Sequence, residues 1–188
     1  MNISGIGEIT SLILDMDGVL WRENSPIGDL PHTFDRFKHL GLKVILATNN
    51  GTRTPEQYLE KLAGFRVTLS KEQVITSAMA LAHLLSKRFP NGGPVYTIGE
   101  IGLITALKEA GFYQSESNVV AVVGGMDRTI DFWKMKRATL LIRAGAPFYF
   151  TNPDRTYPTP EGLIPGAGSI QAALEAATDV KAIIAGKP

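Results

Sequence analysis

The chain has 188 residues, 44% hydrophobic and 20% charged, a composition typical of a globular protein with one large domain or two small ones. Its 19 basic and 18 acidic residues leave a formal charge of +1, so charge gives no support for nucleic acid or an anionic membrane as a partner. The absence of cysteine excludes disulfides, zinc thiolates and a cysteine nucleophile. No apolar run approaches the roughly 18 residues of a membrane span, and we expect a cytoplasmic protein.

The first half of the sequence predicts strands that alternate with helices. The apolar run at 11–14 predicts a buried strand, and apolar residues at helical spacing between positions 30 and 40 predict a helix that ends at Gly41. The stretch "KVILA" predicts a second buried strand. A helix is then expected to start at Thr54, Pro55 and Gln57, which supply an N-cap, a first-turn proline and a capping-box partner, and to end at Gly64.

A further helix is predicted over 77–89, and the turn residues "PNGG" at 90–93 end it. Beyond that turn the alternation resumes. Strands are predicted at "VYTIG", "VVAVVGG", "PFYFTN" and "AIIAG". Helices are predicted at "LITALKEAG", in a long segment that ends at Gly145, and at "IQAALEAA". The segment 153–169 is rich in proline and glycine and predicts a loop or a bent hairpin, with Ser169 interpreted as the cap of the last helix. Strands separated by helices predict parallel pairing, and therefore an α/β fold.

Three predicted strands are followed directly by polar side chains. Asp15 and Asp17 come after the first strand, Thr48 and Asn49 after the second, and Lys187 after the last. Ligands of open parallel sheets bind outside the carboxyl ends of the strands. A nucleophilic carboxylate, a second carboxylate for proton transfer, a hydroxyl with nearby amides and a lysine are the groups that phosphoryl transfer needs.

These residues also carry a family resemblance. "DMDGVL", "TNN" and "GKP" resemble, in order, the first three motifs of the haloacid dehalogenase superfamily, most closely its NagD-like, 4-nitrophenylphosphatase-type branch. "YTIGEIGL", "VVGGMDR", "FTNPD" and "GLIPGAGS" are also similar to that branch. The resemblance implies a Rossmann-like core with a parallel sheet and an α/β cap inserted after the second motif. We therefore expect the first part of the core at 1–85, the cap at 86–180 and a return to the core at 181–188.

The resemblance also implies the role of each residue. Asp15 would attack phosphorus to give an aspartyl-phosphate, and Asp17 would protonate the leaving oxygen and then activate water. Lys187 and Thr48 complete the expected catalytic set, while substrate contacts are expected from Asn49, Asn50, Gly51 and Asp154. A magnesium ion would be bound by Asp15 and the main-chain carbonyl of Asp17. The expected substrate is a small phosphorylated metabolite, and the cap is a candidate surface for a homo-oligomer.

The superfamily's fourth motif, which is acidic and completes the magnesium site, follows the lysine, whereas this sequence continues for one residue after Lys187. We therefore expect a core that is incomplete on its C-terminal side. Two functional hypotheses stay open, a magnesium-dependent phosphatase and an inactive phosphate-binding remnant of one. A nucleotide-binding oxidoreductase is disfavoured because "VVGGMD" lacks the GxGxxG fingerprint.

Overall fold

The computed structural model describes residues 9–187 and shows an α/β protein with two compact units. Each unit is formed by two separate stretches of the chain. The first unit contains the residues up to Thr48 together with Pro55–Ile75, and the second contains Asn49–Thr54 together with the residues from Thr76 onward.

The first unit is built on a three-stranded sheet. Its elements are β1 (Ser11–Leu14), a small antiparallel hairpin of β2 (Trp21–Arg22) and β3 (Ser25–Pro26), α1 (Leu30–His39), β4 (Lys43–Thr48), α2 (Pro55–Gly64), a 3-10 turn (Lys71–Gln73) and β5 (Val74–Thr76). The sheet order is β1-β4-β5, and β1 runs parallel to β4 with Leu14 opposite Leu46. The carboxyl ends of these two strands therefore lie side by side at one edge of the sheet.

One face of this sheet carries the core of the first unit. Along β4 the side chains of Val44, Leu46 and Thr48 are buried, while the intervening residues are exposed or half-buried, which is the period of two expected for a strand with one covered face. The buried residues pack with Trp21, Tyr58 and other apolar side chains from α1 and α2. This packing anchors the strand ends that carry the predicted catalytic residues.

The second unit is built on a five-stranded parallel sheet. Its elements are α3 (Ser77–Arg88), β6 (Gly93–Ile98), α4 (Ile101–Glu109), β7 (Phe112–Gln114), β8 (Ala121–Gly124), α5 (Phe132–Arg143), β9 (Phe148–Phe150), an antiparallel hairpin of β10 (Thr156–Thr159) and β11 (Gly162–Pro165), α6 (Ala167–Thr178) and β12 (Ile183–Ile184). The strand order is β12-β9-β8-β6-β7, and all neighbours run parallel.

Helices cover both faces of this sheet. Val123 of β8 packs among residues of α3 and α4, whereas its neighbour Val122 packs among residues of α5 and α6. All four residues of β8 are buried. A parallel sheet with helices on both faces has central strands that are apolar throughout, which explains why "VVAVVGG" shows no alternation of polar and apolar residues.

The predicted α/β class is confirmed, and the predicted helices are found close to their expected bounds. The clearest case is α2, which starts at Pro55 and ends at Gly64 as its sequence signals indicate. The proline-rich and glycine-rich segment forms the β10–β11 hairpin. Among residues 9–187, no helix is long and apolar enough to cross a membrane.

Two strands predicted from apolar runs are edge strands in the described sheets. In β1, Ile13 is 75% exposed, and in β12, Ile183 is 49% exposed. Their apolar sequences are typical of central strands, but each has a neighbour on one side only within the described sheets. Burial depends on the partners that the fold supplies, which the strand's own sequence does not encode.

The position between residues 85 and 86, where the cap is predicted to begin, lies within α3, which continues without a break to Arg88. Residues 181–188, the predicted return to the core, include β12, which pairs with β9 in the five-stranded sheet. The division into core and cap stays a prediction. Ser169 is not the cap of α6, since Gly166 occupies the N-cap position and the Ser169 hydroxyl donates to the Arg155 carbonyl over 2.6 Å.

Candidate active site

Three predicted catalytic residues lie at one edge of the sheet in the first unit. Asp15 and Asp17 follow β1, and Thr48 is the last residue of the parallel neighbour β4. Asp15 is exposed, Asp17 is half-buried and Thr48 is buried. The structure therefore brings a carboxylate open to solvent, a partly shielded carboxylate and a hydroxyl to the same end of two adjacent strands.

A tight turn follows Asp17 and returns the chain to it. The amides of Val19 and Leu20 both donate to the Met16 carbonyl, and the Gly18 amide donates to the Trp21 carbonyl over 2.8 Å. Gly18 has a φ of +83°, a conformation that glycine adopts without a steric cost. The turn places the indole nitrogen of Trp21 2.8 Å from Oδ1 of Asp17, where it donates a hydrogen bond. Trp21 is not among the residues predicted from the sequence, although an aromatic donor four residues after the second aspartate was a visible signal.

The predicted substrate residues Asn49 and Asp154, together with Lys187, form a second cluster within the second unit. The Asn49 amide nitrogen donates to Oδ2 of Asp154 over 3.0 Å and to the Lys187 carbonyl over 3.4 Å. Its amide oxygen accepts the Lys187 backbone N–H over 2.9 Å. These residues lie up to 138 positions apart, and one side chain holds them together.

The loop that contains Asn50 and Gly51 is fixed in the same unit. Oδ1 of Asn50 accepts the backbone N–H and the hydroxyl of Thr52, an arrangement typical of an Asx turn. A side chain at Gly51 would contact Ser77 and Ala78 of α3 at about 3.2 Å. Loop residues 49–54 are therefore shaped by short-range hydrogen bonds and by close packing against a helix.

Three further hydrogen bonds hold this loop. The Asn49 carbonyl accepts from the Ser77 hydroxyl over 2.6 Å and from the Asn152 amide over 2.8 Å. The amide of Gly102, in the first turn of α4, donates to the Thr52 carbonyl over 3.1 Å. A Cβ at Gly102 would lie only 2.4 Å from the Arg53 carbonyl oxygen, so this close approach requires glycine.

The other strand ends of the second unit carry paired charges. Arg128 donates to both carboxylate oxygens of Glu100, over 2.8 and 2.5 Å. Burial favours the neutral form of Asp127, but hydrogen bonds from Lys134 and Thr129 outweigh it and hold the pKa of this carboxyl below its ordinary value. Hydrogen bonds from Arg128 likewise lower the pKa of Glu100. Both carboxylates are ionised and paired at neutral pH, which indicates a structural role.

The oxygen ligands in the first unit fit a magnesium ion for which the protein supplies only some of the ligands. Asp15 and Asp17 supply carboxylate and carbonyl oxygens, the ligands that Mg²⁺ prefers, and a site with one or two carboxylates is normally completed by water and phosphate oxygens. Within residues 9–187 there is no group of three or more histidine, aspartate or glutamate side chains placed to hold a metal. The described residues thus offer a partial ligand shell.

The family model for haloacid dehalogenase-like hydrolases matches residues 12–113, which include most of β1, the turn after it, β4 and the loop 49–54. The chain belongs to the haloacid dehalogenase-like hydrolases. Its predicted family is therefore confirmed.

Relatives of this hydrolase have phosphatase names. It is 38% identical over 177 residues to acid sugar phosphatase from Staphylococcus aureus (strain USA300), an alignment that covers 94% of this chain and 68% of the relative. The solved 4-nitrophenylphosphatase from Thermotoga maritima superposes with a TM-score of 0.90 at 32% identity, covering 96% of this chain and 69% of that one.

A third relative has been solved with a metal. The glycerol phosphate phosphatase from Mycobacterium tuberculosis in complex with magnesium has a TM-score of 0.87 at 33% identity, covering 95% of this hydrolase and 54% of that chain. A solved protein described as a putative NagD protein superposes with a TM-score of 0.92 at 33% identity. The superposition covers 97% of this chain and 72% of that one. The hydrolase is thus a phosphatase-type member of the family, in the NagD-like and 4-nitrophenylphosphatase-like branch.

Proposed function

We propose that this hydrolase is a Mg²⁺-dependent phosphatase that cleaves a small phosphorylated sugar or polyol through an aspartyl-phosphate intermediate. The observation that carries the proposal is the arrangement of Asp15, Asp17 and Thr48 at adjacent ends of the parallel strands β1 and β4, in a chain of this family. The substrate class follows the names of the relatives, which include a sugar phosphatase and a glycerol phosphate phosphatase.

In the first step, a carboxylate oxygen of Asp15 forms a bond to phosphorus while the bond from phosphorus to the ester oxygen breaks. Asp17 gives its proton to that departing oxygen, so that the product leaves as a neutral alcohol. The exposure of Asp15 supports this assignment, since a nucleophile must be reachable by the substrate.

In the second step, water forms a bond to phosphorus and the bond from Asp15 to phosphorus breaks, which releases inorganic phosphate. Asp17, now a carboxylate, accepts the proton of the attacking water and returns to its initial state. The Thr48 hydroxyl is assigned to a phosphoryl oxygen. A magnesium ion bound by Asp15 and the main-chain carbonyl of Asp17 would neutralise charge on the phosphoryl oxygens.

Roles for Lys187, Asn49, Asn50, Gly51 and Asp154 are proposed from their positions in the family motifs. Lys187 is assigned to charge neutralisation, and the other four are assigned to substrate contacts. The hydrogen bonds from Asn49 to Asp154 and to Lys187 support a shared role, because a change at Asn49 disturbs the other two.

Phosphate binding without turnover is the second candidate. It is favoured by the partial ligand shell, since residues 9–187 offer no third acidic side chain near the two aspartates to form a metal-binding group. A metal held by fewer protein ligands binds less tightly, and turnover would fall with its occupancy.

The deciding experiment measures release of 4-nitrophenol from 4-nitrophenyl phosphate by the purified chain, with Mg²⁺ and with a chelator. We expect hydrolysis only with Mg²⁺, and we expect Asp15→Asn to lower it by about 10³-fold or more, because an amide is a far poorer nucleophile than a carboxylate. Asp35→Asn, the same change at an exposed position of α1, should have no effect. Phosphate binding without any release of nitrophenol would favour the second candidate, and hydrolysis that survives Asp15→Asn would contradict the mechanism.

A further inference from the structure

We propose that Trp21 is a positioning residue, whose indole N–H holds one oxygen of the Asp17 carboxylate and so fixes the group that transfers the proton. The inference rests on the proposed function, since it needs Asp17 as the acid and base. It concerns residues of the first unit only. The observation behind it is the 2.8 Å hydrogen bond from Nε1 of Trp21 to Oδ1 of Asp17.

The indole is not free to follow the carboxylate. Trp21 is completely buried, and its ring stacks on Tyr58 with centroids 6.4 Å apart and an interplanar angle of 20°. Phe65 lies at 6.0 Å on a tilted face. The Lys61 ammonium lies 4.4 Å from the ring centroid, and it also donates to the Glu23 carbonyl in the turn between β2 and β3. The donor therefore has a fixed place set by α2.

The backbone fixes the acceptor from the other side. The turn from Met16 to Trp21 is closed by four backbone hydrogen bonds to the Met16 and Trp21 carbonyls, which leave the Asp17 backbone little freedom to move relative to the indole. The remaining freedom of Asp17 is rotation of its side chain. A hydrogen bond to one carboxylate oxygen restricts that rotation and orients the other oxygen.

A buried tryptophan usually finds some acceptor for its N–H, and a backbone carbonyl would serve that purpose equally well. Here the acceptor is the carboxylate that the mechanism uses. Proton transfer needs a heavy-atom separation within hydrogen-bond reach of the leaving oxygen, so a carboxylate spread over several rotamers would be in place for only part of the time. The expected effect of Trp21 is therefore on the protonation step in particular.

The first test reads the hydrogen bond directly in the 188-residue chain. The sequence has two tryptophans, so the ¹H–¹⁵N spectrum has two indole signals, and the 69% exposed Trp133 serves as the internal reference. We expect Asp17→Ala to shift the Trp21 indole signal and to speed its exchange with solvent, with Trp133 unchanged. An unchanged Trp21 signal would overturn the proposal without bearing on the function of Asp15.

The second test reads the position of Asp17. Its Hα–Hβ couplings should report a single rotamer in the native chain and in Phe65→Leu, which weakens the packing of the indole but keeps its N–H. They should report averaging in Trp21→Phe, which removes the donor. If Trp21→Phe does not fold, a benzothiophene analogue of tryptophan provides the same test. It is incorporated in a Trp133→Phe background, so that it replaces Trp21 alone and removes only the indole N–H. A single Asp17 rotamer in the analogue would contradict the inference.

The third test uses the chemistry of the leaving group. Loss of a well-placed acid harms esters of poorly acidic alcohols more than esters of nitrophenol, whose anion leaves without help. We expect Trp21→Phe to lower kcat/KM for glycerol phosphate at least 10-fold more than for 4-nitrophenyl phosphate, and Phe65→Leu to lower both equally. Equal losses in Trp21→Phe would overturn the positioning role, whereas full activity of Asp17→Asn on both esters would instead overturn the proposed function.

Discussion

At the scale of single residues, Asn49 connects several segments of the second unit. Its two amide atoms bond to Asp154 and to the backbone of Lys187, while its carbonyl accepts from Ser77 and Asn152. Asparagine is suited to this role because one planar amide offers both a donor and an acceptor. The motif "TNN" indicated the loop, but it did not show that the first asparagine joins segments that follow β4, β9 and β12.

Replacing Asn49 with alanine is expected to destabilise the second unit. The variant loses the bonds to Asp154 and to the Lys187 amide, and each ordinary hydrogen bond contributes about 1 kcal/mol. We expect the midpoint of the second unit's thermal transition to fall by roughly 2 to 8 °C. Calorimetry of Asn49→Ala beside Asn91→Ala, a change in the exposed turn before β6, provides the measurement. Equal midpoints in the two variants would show that the amide contributes nothing to stability.

At the scale of elements, hydrogen bonds of Glu175 connect α6 to the segment that leads into β12. Its carboxylate accepts from Lys181 over 2.6 Å, from Gln171 over 2.9 Å and from the Ala182 amide over 3.0 Å. Burial of the carboxyl acts to raise its pKa, but the three hydrogen bonds outweigh it and lower the pKa to about 2. The ionised form is therefore strongly favoured in the folded chain.

The stability contributed by Glu175 should depend on pH. Because the folded pKa lies below the ordinary value of 4.5, this contribution is complete above pH 4.5 and is lost as the pH falls from there to about 2. Urea unfolding between pH 6 and pH 2.5 should show a loss of stability that is smaller in Glu175→Gln than in the native chain. Glu60→Gln, on the exposed surface of α2, should keep the native pH dependence. If Glu175→Gln also keeps the native pH dependence, the ionised carboxylate does not stabilise the contact between α6 and the segment before β12.

The elements could largely be predicted from the sequence, but their neighbours could not. Thr54, Pro55 and Gly64 gave the bounds of α2 because caps and breakers act within a few residues. The position of β12 beside β9, and the exposure of Ile13, depend on chain segments far away in the sequence. In the same way the two aspartates of the site were visible in "DMDGVLW", whereas the role of Trp21 depends on α2, which follows more than thirty residues later.

At the scale of the whole molecule, the described hydrophobic cores are separate. One core consists of residues of the first unit, and the two on either side of the five-stranded sheet consist of residues of the second. The core of the first unit shares no residue with those of the second in the described chain, so the two units need not unfold together. Two-state behaviour is expected mainly of single domains.

We therefore expect two transitions in urea. In a Trp133→Phe variant the fluorescence comes from Trp21 alone, which reports the first unit, while far-ultraviolet circular dichroism is dominated by the larger second unit. The two curves should have different midpoints. The native chain provides the reference for the dichroism curve, since Trp133 is mostly exposed and its replacement should cost little. Superimposable curves would show that the units unfold as one.

Because residues 49–54 belong to the second unit, not every recombination between related genes can give a functional protein. A single crossover at position 76 between genes of two relatives would combine the second unit of one parent with a hexapeptide from the other, because residues 55–75 separate the two segments in the chain. In the hybrid, Ser77 of α3 and Gly102 of α4 would contact a hexapeptide from the other parent, although both positions fit it closely. Functional chimeras would therefore need two exchanges, and the hexapeptide and the second unit are expected to diverge together during evolution.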